Sequence, residues 1–365
     1  MLRTKVKKYD VREMVIFITI TVIVSLKIVV FYNSQNRLPD GTKIKLSGKL
    51  TSEPIQYDTS QGVFFLGYKF YLPLQPKLSY GDEIVVVGVT EKDKLKSPQL
   101  VQNISGRMVY QFRNKILGFY NRSLPKDHAA LVAGVVLGAK SGIGYDLWEK
   151  FKSSGTAHVV VASGMNVTLV AGFLLNFLLL FIKRQYAIVF AIIGVWLYAV
   201  LSGFEAPIVR ACVMGSIAFT AQELGKRNFA YRSLFLTGFV MLFINPSWFF
   251  DLGFWLSFLA TLAILKFEKP IEYRLRKIPV KAFRQDLSTT LAAQIGVFPI
   301  LYYFFGQFNI FSPLINAVVL WTIVPITLIG MISGLISLVY EPIGTLILYL
   351  SYPLTSWFLT VVNLV

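Results

Sequence analysis

One cysteine and two histidines in 365 residues set the first limits on this chain. A lone thiol, Cys212, forbids an intramolecular disulfide, and two imidazoles forbid an H-x-H-x-D-H metal cluster. No G-x-x-x-x-G-K-[ST] string occurs, so no phosphate-cradling loop for a nucleoside triphosphate is expected. His158 has no carboxylate or cysteine partner at motif spacing. These absences predict a chain that is not an enzyme, with neither nuclease nor ATPase chemistry, no cofactor and no metal. Acidic residues are scarce as well, 19 against 36 basic ones, giving a net charge of +17. After Asp286 the only charged residue is Glu341.

Apolar residues, by contrast, make up 55% of the chain, and its mean hydropathy is +0.60. That balance predicts a polytopic α-helical integral membrane protein, since a span needs ~20 mostly apolar residues. Uncharged or nearly uncharged runs fall at Gly155–Ile182, Gln185–Phe204, Pro207–Leu224, Ser233–Phe250 and Leu252–Leu265. About two more are expected between Leu287 and Tyr340, and one in Pro342–Val365. The net charge fits either nucleic-acid binding or membrane topology, and position decides between them. Lys183 and Arg184, then Lys226, Arg227 and Arg232, then Lys266 to Arg284 load every second connection with cations. The alternate connections, near Gly203–Glu205, Phe250–Asp251 and Gly306–Asn309, have none. Basic loops stay in the cytoplasm. The chain is therefore expected in the plasma (inner) membrane with a cytoplasmic N-terminus.

Residues 1–37 read as a basic tail and a retained anchor, Met14–Phe31, interrupted by Lys27. Residues 38–107 change character: Lys43–Leu50, Val63–Leu72 and Glu83–Thr90 alternate, with turn signals at Pro39-Asp-Gly, Ser60-Gln-Gly and Ser79-Tyr-Gly-Asp. They predict a small extracytoplasmic β domain of the partly open OB type. Its aromatics, Tyr57, Phe64, Phe65, Tyr68, Phe70 and Tyr71, either fill that barrel or stack bases. In 108–154 an amphipathic helix is expected over 108–123, with Met108, Phe112, Ile116 and Phe119 as its apolar stripe and Arg113, Lys115 and Arg122 elsewhere. The apolar piece His128–Ala139 is too short to span and reads as re-entrant or interfacial. Residues 155–365 form the transmembrane domain.

The polar residues inside the apolar runs are the candidate site. At helical spacing His158, Ala162 and Asn166 share a face, with Ser163 beside Asn166, among small residues that admit a close neighbour. They either glue helices or line a conduit. His158, Ser163, Asn166 and Arg210 are predicted to face one polar interior. Arg210 either snorkels to the outer interface or points inward, holding phosphates or pairing with Glu205. Asp251 either caps a helix or belongs to the path. Ser257, Gln294 and Asn316 either bond between helices or line a wet route.

Several of these stretches carry a resemblance. G-T-A-H-V-V-V-A-S-G-M-N-V (155–167) resembles the signature of the ComEC competence family, although Asn166 stands where a second His is common. Pro207-Ile-Val-Arg-Ala-Cys-Val-Met, Asp251-Leu-Gly-Phe-Trp-Leu-Ser-Phe-Leu-Ala-Thr, and Ala293-Gln-Ile-Gly-Val-Phe-Pro with Tyr303-Phe-Phe-Gly-Gln match later family stretches in order, as do Asn316 and Pro325. The resemblance spans about residues 38–340. It implies an inner-membrane channel for single-stranded DNA in natural transformation, with the outer OB-like domain guiding the strand. It also implies partners: other competence proteins, including a separate cytoplasmic ATPase or helicase and a DNA receptor. The family's C-terminal metallo-β-lactamase-like domain has no counterpart here. A transporter of a small or lipid-linked solute, using the same polar helices, is the other reading that span composition leaves open.

Overall fold

The computed structural model describes residues 11–34, 39–50, 54–57, 59–76, 78, 81–104, 108–140, 142–160, 163–223, 230–305 and 311–364. Ala162, Lys226, Arg227 and the 306–309 connection lie outside them, as do Lys77, Ser79, Tyr80 and Arg107. The chain opens with α1 (Val11–Ser34). Strands β1 (Lys43–Lys49), β2 (Ile55–Gln56), β3 (Ser60–Phe65), β4 (Tyr68–Pro73), β5 (Glu83–Glu91) and β6 (Lys94–Ile104) follow. Helices then take over: α2 (Met108–Ser123), α3 (Lys126–Leu137), α4 (Tyr145–Ser153), α5 (Ala157–Val160), α6 (Gly164–Leu179), α7 (Arg184–Leu201), α8 (Ala206–Glu223) and α9 (Ala230–Ile244). A 3-10 turn (Pro246–Phe250) precedes α10 (Leu252–Arg274), α11 (Lys281–Phe305), α12 (Ser312–Ser337), α13 (Glu341–Tyr349) and α14 (Tyr352–Asn363).

The strands form one sheet in the order β1-β5-β6-β4-β3-β2. Neighbours are antiparallel except β4 and β6, which run parallel at Lys69 and Lys94. Both edge strands come from one stretch of chain, β1 and β2. The apolar string Val63–Leu72 is a hairpin rather than one strand, turning at Leu66–Gly67. Alternation divides its side chains: Val63, Phe65, Phe70 and Leu72 enter the core with Ile84 and Val86. Phe64, Lys69 and Tyr71 stay on the outer face. The aromatic set therefore splits, with two rings filling the sheet's core and two exposed.

In the helical part, α12 is the axis, packing against α2, α3, α11, α13 and α14. Small residues allow this. A Cβ on Gly330 would lie 2.6 Å from Val136 of α3, and one on Gly334 would lie 2.7 Å from the Tyr120 hydroxyl of α2. That hydroxyl donates to the Gly330 carbonyl at 2.7 Å. The expected amphipathic helix has its predicted bounds, and Ile116 and Phe119 of its predicted stripe are buried, but Phe112 and Arg113 exchange places. Phe112 is 44% exposed, whereas Arg113 is buried (2%) beside Ile116, Phe119 and Tyr120. The Met108 side chain lies outside the described ones. Helix α3 is enclosed by the rest of the protein, with Ala129 through Leu137 all buried.

Two further clusters complete the body. Val167 and Val170 of α6 meet Val195 and Ala199 of α7 and Ile208 and Cys212 of α8. Val209 and Val213 of α8 meet Met241 of α9 and Phe254 of α10. α1 lies against α9 and the 3-10 turn, where Lys27 Nζ donates to the Phe243 carbonyl at the helix end. Helix α10 continues through Pro270 to Arg274, so the expected basic loop begins ten residues later than the apolar run ends. The last run, read as a single span, is two helices bent by 47° between Tyr349 and Tyr352.

By length and composition, three helical stretches among the described residues suffice to cross a membrane: Ala157–Leu179, Arg184–Leu201 and Ser312–Ser337. The bent pair α13–α14 makes a fourth if counted as one. Large apolar side chains point outward from them, including Phe177, Leu180, Phe181, Ile193, Leu197 and Leu346.

Candidate functional site

The stretch Gly155–Lys183 is not one continuous helix. α5 ends at Val160, and α6 starts at Gly164 with Ser163 extended at its N-cap position. The break reorients the polar residues expected on one face. The His158 side chain is exposed. Ser163 is half-buried, and its carbonyl accepts from the Asn166 and Val167 backbone N–H groups. Asn166 is fully buried and turns toward α3, donating Nδ2–H to the Val135 carbonyl at 2.7 Å.

That bond belongs to a capped helix end. The last four carbonyls of an α-helix lack intrahelical donors. At α3, Gly138 is left-handed (φ 67°), and its N–H and that of Ala139 reach Gly134 and Ala133. Asn166 then serves Val135, and Arg113 Nη2 serves Leu137 at 3.4 Å. Arg113 Nε also donates to Leu201, the last residue of α7, at 2.9 Å. The guanidinium sits where two helix dipoles present their negative ends. Just beyond, Lys140 Nζ pairs with Glu205 at 2.6 Å, tying the loop after α3 to the start of α8. The expected alternative of an Arg210–Glu205 pair is thus corrected: Glu205 is engaged by Lys140.

Arg210 lies elsewhere, against the other side of α6. It occupies the second turn of α8, where Pro207 starts the helix with a fixed φ. Nη1 donates to the Ser257 carbonyl of α10 at 2.8 Å, a carbonyl that also accepts from Thr261 Oγ1. Nε is buried without a hydrogen-bond partner. Gly164 permits the approach, since a Cβ there would fall 2.7 Å from Arg210 Nη2. The guanidinium borders a cavity of about 500 Å³ between α6, α7, α8, α9 and α10. Its polar lining comes from Thr168, Arg210, Ser216, Ser233 and Thr261, and the Ser233 hydroxyl is a second buried atom without a partner. The rest of the wall is apolar, including Met165, Ile192, Met214 and Phe219. One fixed cation in an apolar, partly enclosed cavity suits a single anionic group of a passing ligand.

The remaining candidates divide. Asp251 caps α10, its Oδ1 accepting from the Phe254 N–H at 3.1 Å. Ser257 contributes its carbonyl to Arg210. Gln294 is half-buried on α11. Asn316 is buried on α12, donating Nδ2–H to Ser312 Oγ at 3.2 Å. So Arg210, Ser257 and Gly164 come together, Asn166 joins α3, and His158 joins neither. Two residues are not legible in the sequence: Arg113, which periodicity places on the polar side of α2, and His128. The His128 ring stacks on Tyr352 at 4.5 Å, with Nδ1 2.8 Å from Thr355 Oγ1, beside the α13–α14 bend. Burial holds that imidazole below its ordinary pKa, against the opposing pull of Asp127.

The signature glycine before these elements is also a contact. Gly155 has φ +72°, and a Cβ there would fall 2.0 Å from Ser312 Oγ at the start of α12. Gly155→Ala is expected to lower stability by about 1–3 kcal/mol through overpacking and the lost left-handed conformer. Thermal unfolding of the purified variant measures it, and an unchanged midpoint would sink the contact.

The fold and site define a helical protein with an apolar exterior, an accessory β sheet and one guanidinium-bearing cavity. A competence-protein family profile matches residues 135–365, more than half the chain, so the chain belongs to the competence protein family. It is similar to ComE operon protein 3 of Bacillus subtilis, 28% identical over 210 residues, covering 57% of this chain and 26% of that protein. It is also similar to competence protein ComA of Neisseria gonorrhoeae, 26% identical over 217 residues, covering 56% of this chain and 30% of ComA. Recombination protein 2 of Haemophilus influenzae is 23% identical over 196 residues, covering 50% of this chain and 24% of that protein. The chain thus matches about a quarter to a third of these relatives' lengths. No solved structure matches it.

Proposed function

We propose that the chain is a multi-pass plasma-membrane protein that passes single-stranded DNA inward during natural transformation, with the Arg210 cavity on the strand's route. Membership of the competence family carries this reading. The outward apolar side chains on α6, α7 and α13 support insertion in a bilayer. The β sheet, whose edge strands β1 and β2 are consecutive in the chain, supports a partly open barrel of the OB type on the outer side. There the Tyr57 and Tyr71 rings, 5.7 Å apart over Gly62, offer a face for guiding the strand. Its role is conduction rather than catalysis. Energy and strand capture come from partner proteins, including a cytoplasmic ATPase or helicase and a DNA receptor.

The direct test is uptake of labelled DNA by a strain lacking the chromosomal copy and complemented with this chain. Restored uptake supports the reading; transformation that never depends on the copy ends it. Topology is checked in the same cells. Arg274 at the end of α10, Arg276 and Lys277 in the connection, and Lys281 at the start of α11 form a basic cluster, so a reporter fused there is expected to read cytoplasmic. A reporter near Tyr57 is expected to read external. A cytoplasmic signal at Tyr57 would overturn the orientation.

A further inference from the structure

The turn of the β3–β4 hairpin exposes what a water-facing turn ordinarily hides. Leu66 is 60% exposed at its tip with φ +48°, a left-handed position where Asn, Asp or Gly is the favoured residue of a two-residue hairpin. Phe64, 58% exposed, lies on the same face, opposite Lys69 in register. The second turn, Lys92–Asp93, sits alongside, because the Lys69 N–H donates to the Asp93 carbonyl at 2.8 Å. Lys92, Lys94 and Lys69 therefore share this end of the sheet, with the Lys69 ammonium 5.9 Å from the centre of the Tyr71 ring. Of the nearby acids, Glu91 is paired with Lys96 at 3.6 Å, and Asp40 accepts from the Lys92 backbone N–H at 2.6 Å. Asp40 keeps its charge in that bond and Asp93 adds another, so Lys69, Lys92, Lys94 and Lys96 face three acids and this end keeps a net positive charge of one.

The chain enters the sheet at this same end. Gly41 donates to the Thr90 carbonyl, and Asp40 holds Lys92. Ser34, where α1 ends, is six residues before Asp40, so Asp40, beside the second turn, is tethered within about 20 Å of the end of α1. α1 is itself anchored on α9 and the 3-10 turn, with Tyr32 5.9 Å from Phe250.

We propose that this hairpin tip is a membrane-docking finger, seating Leu66 and Phe64 among the headgroups of the outer leaflet while Lys69, Lys92 and Lys94 meet anionic lipid. Apolar side chains flanked by snorkelling lysines suit that interface. Leu66, at the apex, has no ring on which to stack a base; Phe64 beside it does, and the tether to the end of α1 is what favours lipid over a nucleic-acid strand. Docking would hold the β domain at a fixed height over the helices. The proposal rests on the chain lying in a bilayer.

The test uses the full chain with Cys212 replaced by Ala. Leu66→Cys carries an environment-sensitive fluorophore after reconstitution in phosphatidylethanolamine–phosphatidylglycerol vesicles. Ile193→Cys, on the exposed face of α7, carries it in a parallel sample. The expected result is quenching of both labels by nitroxide-bearing lipid and by aqueous iodide of neither, with Phe64→Asp releasing the label at 66 into water. An iodide-quenched label at 66 beside a lipid-quenched label at 193 overturns the finger and leaves the membrane reading standing. Iodide quenching at both positions removes the membrane reading and the finger with it. Protection at 66 that appears only on adding single-stranded oligonucleotide makes the tip a nucleic-acid contact and overturns the lipid assignment.

Discussion

Arg210→Leu is expected to lower DNA uptake by about tenfold to about a hundredfold while the protein still folds and inserts. The range follows from one lost charge-assisted hydrogen bond, about 1.5–3 kcal/mol, at about 1.4 kcal/mol per decade. The leucine removes one donor to the Ser257 carbonyl, but that carbonyl keeps Thr261 as a donor, so little is left unsatisfied. It also removes a buried Nε with no partner, which offsets part of the lost contact. Folding is therefore expected to change little, and the effect should appear in transport.

Arg210→Lys separates charge from shape. An ammonium keeps the positive charge but not the planar fork that holds a carbonyl with one arm and offers another to a phosphate. Partial recovery of uptake is the expected outcome. Full uptake by the leucine variant, measured at equal membrane abundance, would reduce Arg210 to a structural contact between α8 and α10. Gly164 supplies an independent check on the same geometry. A valine there would place its Cβ where the guanidinium passes, 2.7 Å from Nη2, and should mimic the loss at Arg210 without touching any charge.

How far the sequence reveals this arrangement depends on which physical signal each feature leaves. Long uncharged runs carry their own signal, so α6, α7 and α12 lie where hydropathy places them. Alternation likewise places β1 and β5. The break at Ser163 leaves no such trace, because no charge or proline marks it and both halves remain apolar. The hairpin in Val63–Leu72 hides for a related reason, since its turn is Leu66–Gly67 and the leucine masks the usual punctuation. The family stretches were legible as strings, and their glycines now have contacts: Gly155 against α12, Gly164 against Arg210 and Gly296 against the Leu259 carbonyl of α10. Pairings between distant segments leave no periodic signal at all. Nothing local announces that Glu205 meets Lys140 or that Asn166 meets Val135.

Arg113 is the extreme case, and its removal should have the largest effect on folding. Periodicity sets it one residue after Phe112, on what reads as the polar side of α2, yet Phe112 is the exposed one. The reason is the environment that α2 enters. The ends of α3 and α7 converge there, each with terminal carbonyls that lack intrahelical donors. A guanidinium can serve both at once, through Nε to Leu201 and Nη2 to Leu137. Its fixed fork and permanent charge also complement two negative helix termini. Hydrogen bonds from charged donors contribute about 1.5–3 kcal/mol each. Arg113→Leu forfeits both and strands the buried Leu137 carbonyl and the part-buried Leu201 carbonyl, so a loss of about 3–5 kcal/mol is expected. That is a large share of the ~5–15 kcal/mol that holds a typical domain together. Arg113→Lys keeps the charge but offers one flexible point, and should recover about half of the loss. Unfolding of the detergent-purified protein, followed by thermal scan and limited proteolysis, reads the effect. Cleavage is expected to appear first at the loop after α3, which the Lys140–Glu205 pair and the Asn166–Val135 bond would still hold. A leucine variant within about 0.5 kcal/mol of the parent, the range of an ordinary surface substitution, would show that α3 and α7 hold their ends without it.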